Sequence, residues 1–171
     1  SLYNLTFEPQ TVFFKKRASL TPLLPTADQS LEMLNTAVEI LERRLKRYEI
    51  SAFAEPGFES RHNTGYWEGR PFLGFGPSAF SDWEGRRYRN ICDLKKYSEA
   101  LANKQSPVDF EEKLSPLASL HERLAVRLRL LKGIQTTDYP VDPRLYQTLQ
   151  DKGWVEVQDT TARLTKTGLL F

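Results

Sequence analysis

The stretch from Tyr48 to Asn90 constrains this chain more than any other. It holds six of the nine Gly, two of the three Trp and one of the two His. Such a density of Gly disfavours a long helix, where each Gly costs about 1 kcal/mol relative to Ala. The apolar residues are also too irregularly spaced for an ordinary alternating strand. Turns and ligand-facing walls use residues of this kind, so functional residues are sought here first.

The sequence before this stretch reads as α/β. Leu2, Asn4 and Thr6 alternate with Tyr3, Leu5 and Phe7, which predicts a strand ending near Glu8-Pro9. Thr26 and Gln29 have the spacing of a capping box. Leu31, Leu34, Val38, Leu41 and Leu45 then recur at intervals of three and four, one apolar helix face. Tyr48–Phe53 predicts a second strand. Strand, capped helix and strand in succession form a βαβ unit with parallel strands and a right-handed crossover. Ligands of such sheets bind beyond the carboxyl ends of the strands, which places the Glu55–Trp67 loop at the expected site face.

After Asn90 the pattern becomes mainly helical. Helices are expected over Asp93–Asn103 and Pro116–Lys132, the second with Leu117, Leu120, Leu124, Leu128 and Leu131 inward and Gly133 as its stop. Residues 104–109 read as a polar link. Asp142-Pro143 opens a helix over Arg144–Asp151 that closes on Gly153. Trp154–Gln158 and Ala162–Thr165, joined at Asp159–Thr161, predict a β-hairpin. Helices followed by a hairpin resemble a winged helix, with a further helix starting at Gly168.

Composition removes several function classes. The chain has 171 residues, enough for one domain or one domain with an appendage. Its 24 basic and 22 acidic residues leave a net charge of +2, too small for a general nucleic-acid binder. The expected hairpin sets Glu156 and Asp159 against Arg163 and lacks a basic wing. No nucleic-acid partner is expected. A single cysteine, Cys92, excludes an internal disulfide framework and a multi-thiolate metal site, and a buried structural role is expected for it. No apolar run is long enough for a membrane span and no signal-peptide pattern is present, so a cytoplasmic setting is expected. The chain opens without Met and closes on Leu169-Leu170-Phe171, which suggests a longer parent.

Three constellations carry candidate chemistry. In Glu59–Trp67 (ESRHNTGYW), His62 can bind a metal through an imidazole nitrogen or hydrogen-bond its own loop. Tyr66 and Trp67 can face a planar ligand or anchor the loop to a core. In Gly74–Ala79 (GFGPSA), two glycines allow tight turns and close approach to a ligand, without being a nucleotide fingerprint. In Arg86-Arg87-Tyr88-Arg89, guanidinium forks suit carboxylates such as propionates, or they pair internally with Asp82, Glu84 or Asp93. His121 reads as a core-edge residue of its helix. No nucleophile–base signature or phosphate loop is present.

Taken in order, YNLTFEPQT (Tyr3–Thr11), YEISAFA (Tyr48–Ala54), Pro56-Gly57, HNTGYW (His62–Trp67), Gly74–Ala79 and Arg87–Asn90 resemble the carboxyl-terminal half of HemW-type proteins. These are radical S-adenosylmethionine relatives of oxygen-independent coproporphyrinogen III oxidase. Glu122-Arg123-Leu124, Leu128-Arg129-Leu130 and Gly133-Ile134 are similar to that family's carboxyl-terminal domain. The resemblance implies the last strands of a partial (β/α)6 barrel over 1–92 and a helical, winged-helix-like domain over 93–171. It implies haem or a porphyrin as ligand and a haem-acceptor protein as a further partner. His62, Asn63, Tyr66 and Trp67 match the signature implicated in haem binding, with His62 as candidate iron ligand. Gly74, Gly76 and Ala79 match the stretch that lies against the cofactor site of the barrel. The His-Asn-x-x-Tyr-Trp signature marks the HemW branch. The alternative is the oxidase itself, which decarboxylates propionates by radical chemistry.

The chain departs from the family pattern in three places. Phe80 stands where the family commonly has His. A Gly usual near the end of the helix before YEIS is missing. The Cys-x3-Cys-x2-Cys motif for a [4Fe–4S] cluster is absent, so the cluster and S-adenosylmethionine are expected only in a full-length parent. The chain alone is expected to be inactive as a radical enzyme.

Overall fold

A computed structural model describes residues 1–170. The fold is mixed α/β and divides into two compact units, Ser1–Glu59 and Ser60–Phe171. This division falls ahead of the 92/93 boundary expected from the sequence.

The first unit contains α1 (Val12–Lys15), α2 (Arg17–Leu20), α3 (Ala27–Glu42), β1 (Lys46–Arg47) and β2 (Phe53–Ala54). The capping box of α3 is formed: the Gln29 amide donates to Thr26 Oγ1 at 3.2 Å and the Thr26 amide to Gln29 Oε1 at 2.9 Å. Leu34, Val38 and Leu41 are half-buried on one face, while Met33 and Ile40 are exposed.

The parallel βαβ unit is not formed. β1 and β2 pair antiparallel, with Lys46 opposite Ala54 and Arg47 opposite Phe53. Residues expected to be strand, from Tyr48 onward, make the reversal between them, closed by the Tyr48 amide donating to the Ala52 carbonyl at 3.1 Å. The Arg47 guanidinium donates to the Ile50 carbonyl inside this turn. Residues 2–8 form no strand. Alternation supplies strand propensity, yet a strand also needs a neighbour to pair its backbone groups. Among the described residues, that pairing reduces to the Leu2 amide donating to the Ser51 carbonyl at 2.8 Å.

The second unit runs through α4 (Arg61–Trp67), β3 (Phe80–Trp83), β4 (Arg86–Asn90), α5 (Leu94–Ala102), β5 (Val108–Glu112), α6 (Pro116–Arg127), β6 (Ile134–Gln135), α7 (Pro143–Asp151), β7 (Val155–Gln158) and β8 (Thr161–Leu164). β3, β4 and β5 make an antiparallel sheet in that order. The β3–β4 turn takes positive φ at both central residues, Glu84 (54°) and Gly85 (73°), the backbone that a two-residue hairpin needs. β5 starts inside the stretch expected to be a link and was missed, because its VDFEE sequence is too acidic to read as a strand.

A second antiparallel sheet has the order β6-β8-β7. It packs with α6 and α7 around Leu124, Leu128, Ile134, Val155 and Ala162. The expected hairpin at 154–165 is present as β7 and β8. Asp142 caps α7, accepting from the Arg144 amide at 2.9 Å. α6 ends at Arg127, earlier than expected, and Leu117 at its start is 62% exposed, not inward. Cys92 is exposed, which corrects the expectation of burial. Gly168–Leu170 forms a short 3₁₀ turn where a helix was expected to start.

Candidate functional site

The signature His62–Trp67 lies on helix α4, not in a loop. Ser60 starts this helix, its Oγ accepting from the Asn63 amide at 3.2 Å. Helical spacing sets His62 and Tyr66 on one face, four residues apart. Tyr66 Oη lies 2.7 Å from His62 Nε2, and the two rings meet edge to face at 4.6 Å. Tyr66 in turn meets Phe72 edge to face, also at 4.6 Å. A His–Tyr pair at this spacing is a helical signal within a Gly-containing run. Gly65, inside the run, does not break the helix.

Trp67, the last residue of α4, has the Arg129 guanidinium over its ring at 4.2 Å from the centroid. Its indole N–H is buried without a hydrogen-bond acceptor among the described residues. Glu68 follows and gathers Lys132 (3.0 Å), Arg127 (3.2 Å) and, more loosely, Arg70 (3.6 Å). The hydrogen bond from Lys132, reinforced by the charges of Lys132 and Arg127, holds the Glu68 carboxyl below its ordinary range against the opposing effect of burial. This network ties the end of α4 to the end of α6.

The Gly-x-Gly segment forms the next wall. Gly74 is required sterically: a Cβ there would lie 2.1 Å from the Phe80 carbonyl oxygen. Gly76 sits at φ 95°, where a side chain would be strained. Ser81 Oγ accepts from the Gly74 amide at 2.9 Å, and Asn90 Nδ2 donates to the Gly76 carbonyl at 2.9 Å. Ser81 and Asn90 are buried at 1% and 7% exposure. They pin the turn, and sequence reasoning missed both because their role depends on a partner in another element.

Together these elements line a half-open cavity of about 850 Å³, within the range of small-molecule sites. His62, Tyr66, Trp67, Gly74 and Ala79 all line it. Asn63 and Gly76 do not: the Asn63 amide is part of the cap of α4, and Gly76 belongs to the turn held by Asn90. Phe72, Leu73 and Phe75 add apolar surface, Phe75 at 86% exposure. Phe80, which stands where the resembled family commonly has His, also lines the cavity and packs on Phe110 with a ring-centroid distance of 6.3 Å.

α6 supplies the facing wall through Glu122, Arg123 and Val126. These residues were not singled out as a site, since they look like the solvent side of an amphipathic helix. Arg87 reaches across from β4 and donates two hydrogen bonds to the Glu122 carboxylate, at 2.8 and 2.7 Å. Glu112 adds a longer contact at 3.4 Å. The hydrogen bonds to Glu122, with the nearby carboxylate charges, raise the Arg87 pKa despite partial burial. Arg86 pairs with Glu111 and Arg89 with Asp109. The basic cluster is therefore internally paired, but with β5 and α6 and not with the three carboxylates proposed from its own neighbourhood. His121 is exposed, not at a core edge.

Among the described residues, no group of three or more His, Cys, Asp or Glu side chains could hold a metal ion. No helix is long and apolar enough to cross a membrane among those residues.

Comparison with known proteins agrees with the class read from the sequence. In fold, the chain resembles part of the Escherichia coli coproporphyrinogen III oxidase HemN, a radical S-adenosylmethionine enzyme. The TM-score is 0.68 at 18% identity, covering 86% of this chain and 40% of the enzyme. In sequence it is 28% identical to the haem chaperone HemW of Bacillus subtilis (strain 168) over 181 residues, covering 100% of this chain and 48% of the relative. The haem chaperone HemW of Lactococcus lactis is 33% identical over 135 residues, covering 78% of this chain and 35% of that protein. No family model matches the sequence. In sequence and in fold the chain is thus similar to part of the HemW and HemN proteins. It spans about half, or less, of the length of these curated relatives.

Proposed function

We propose that this chain forms part of a HemW-type haem-binding chaperone and that the cavity of the second unit is its porphyrin face. The observation that carries this reading is the convergence of His62, Tyr66, Trp67, Gly74 and Ala79 on one wall system. The residues suit a flat, largely apolar ligand: Trp67, Phe72 and Phe75 supply ring surface, and a buried indole N–H offers a donor. His62 and Tyr66 offer nitrogen and oxygen ligands for iron. Because His62 Nε2 already engages Tyr66, His62 would ligate through Nδ1 or after giving up that bond. In this reading haem, when bound, supplies the cargo, and a haem-acceptor protein takes it up.

A [4Fe–4S] cluster does not fit these residues, since the one cysteine is exposed and has no second thiol. Cluster and S-adenosylmethionine chemistry is assigned to the parent protein outside this chain, and the chain alone is read as catalytically inactive. We assign 1–92 to the carboxyl-terminal part of a radical S-adenosylmethionine barrel and 93–171 to a winged-helix-like domain. The succession α6, β6, α7 and the β7–β8 hairpin supports the second assignment. The setting is read as cytoplasmic, with no nucleic-acid partner.

Titration of the chain with haem, followed by the Soret absorbance, tests the reading. A saturable spectrum is expected, changed in position or affinity by His62→Ala. An unchanged spectrum and affinity would remove His62 as a ligand, and no saturable binding would remove the porphyrin face. The fold likeness to HemN keeps one alternative, a parent with coproporphyrinogen III oxidase activity. Formation of protoporphyrinogen by the full-length parent in an anaerobic assay would favour it.

A further inference from the structure

Three cationic side chains line the cavity, and two are already committed. Arg87 is held by Glu122 and Glu112. Arg70 donates to the Arg61 carbonyl at 3.0 Å and faces Glu68 at 3.6 Å. Arg123 lines the same cavity from α6 and has neither a carboxylate at ion-pair distance nor a hydrogen-bond acceptor among the described residues. Four carboxylates line the cavity: Glu122 binds Arg87, Glu68 gathers Arg127 and Lys132, and neither Asp82 nor Asp138 pairs with Arg123. Val126, three residues after Arg123 and so on the same helix face, is apolar and also lines the cavity. The exposed apolar side chains of Leu73 and Phe75 belong to the same lining.

We infer that Arg123 is the carboxylate receptor of this cavity, and that the cavity selects flat apolar ligands carrying a carboxylate on their rim. The inference rests on reading the cavity as a ligand site, and it adds the residue that sets ligand polarity and orientation. A guanidinium with its donors unspent can take a carboxylate through two parallel N–H···O bonds. The ring walls would meanwhile cover the flat body of the ligand. The Arg86–Arg89 cluster, the earlier candidate for this task, would have to break internal pairs first. Arg123 would not.

Fluorescence titration of the intact chain with pyrenebutyrate and with pyrenebutanol isolates the carboxylate from the flat body, without using haem. The chain is expected to favour the carboxylate by about tenfold, the scale of one charge-assisted hydrogen-bonded contact. Arg123→Gln should erase that preference while leaving alcohol binding and the thermal midpoint unchanged, since Arg123 is exposed and supports no other residue. Arg123→Lys should retain part of the preference. Equal affinity for the two probes, binding of neither, or a preference surviving in Arg123→Gln would overturn the inference. Discrimination between the probes without haem binding would instead sink the porphyrin reading and leave the role of Arg123 standing. Haem binding without discrimination would sink the role of Arg123 alone.

Discussion

The two units treat apolar side chains in opposite ways. In Ser1–Glu59 the buried residues are Glu49, Ser51 and Ala52, and the long helix α3 has no buried residue. Glu49, at 2% exposure, accepts from both the amide and the hydroxyl of Ser51. Local order there comes from caps and turns. In Ser60–Phe171, Leu124, Leu128, Ile134, Val155 and Ala162 form a contiguous core. A framework of that kind can hold a cavity wall in a fixed shape, whereas caps alone stabilise only their own turn. The candidate site accordingly belongs to the unit with the core.

The comparison breaks first if core truncation proves mild. Leu124→Ala, at a position 4% exposed, should cost about 2–5 kcal/mol in chemical denaturation. Met33→Ala on α3, 63% exposed, should stay within about 0.5 kcal/mol. Equal effects would erase the distinction. Next in size is Gly74→Ala, whose Cβ would press on the Phe80 carbonyl. A cost of about 1–3 kcal/mol is expected from the forced backbone shift, together with altered ligand binding at the adjacent wall. An unchanged denaturation midpoint would show that the wall is not held there.

Thr26→Ala should cost about 1 kcal/mol of local helix stability, read by amide exchange over α3. A change spreading into the second unit would contradict the separation drawn here. The smallest effect is acid sensitivity at Glu68. Its folded pKa is depressed, so its contribution is present above its ordinary value of 4.5 and is lost as pH falls through the lower folded value. Glu68→Gln should therefore flatten the acid limb of a stability–pH curve. An acid limb identical to wild type would remove the network of Lys132 and Arg127 as its source.

Local signals were legible in the sequence, and pairing signals were not. The Thr26–Gln29 box, the Asp142-Pro143 helix start and the β7–β8 hairpin each depend on residues within a few positions, and each is present. The parallel βαβ unit failed because strand alternation over residues 2–8 says nothing about a partner, and the structure provides almost none. At the site, five of the seven predicted residues line one cavity because the signature and the Gly-x-Gly turn are short-range features. The α6 wall, with Glu122 and Arg123, was hidden because its contact with β4 spans 35 residues through Arg87. Exposed charge on a helix gives no hint of such a partner until the fold brings it in.

Hydrogen–deuterium exchange of the intact chain, with and without one equivalent of haem, tests the central claim most directly. Protection is predicted over residues 61–74, 79–82 and 122–126, with residues 1–59 unchanged. Haem-dependent protection confined to residues 27–42, or saturable haem binding with no protection around the cavity, would contradict it.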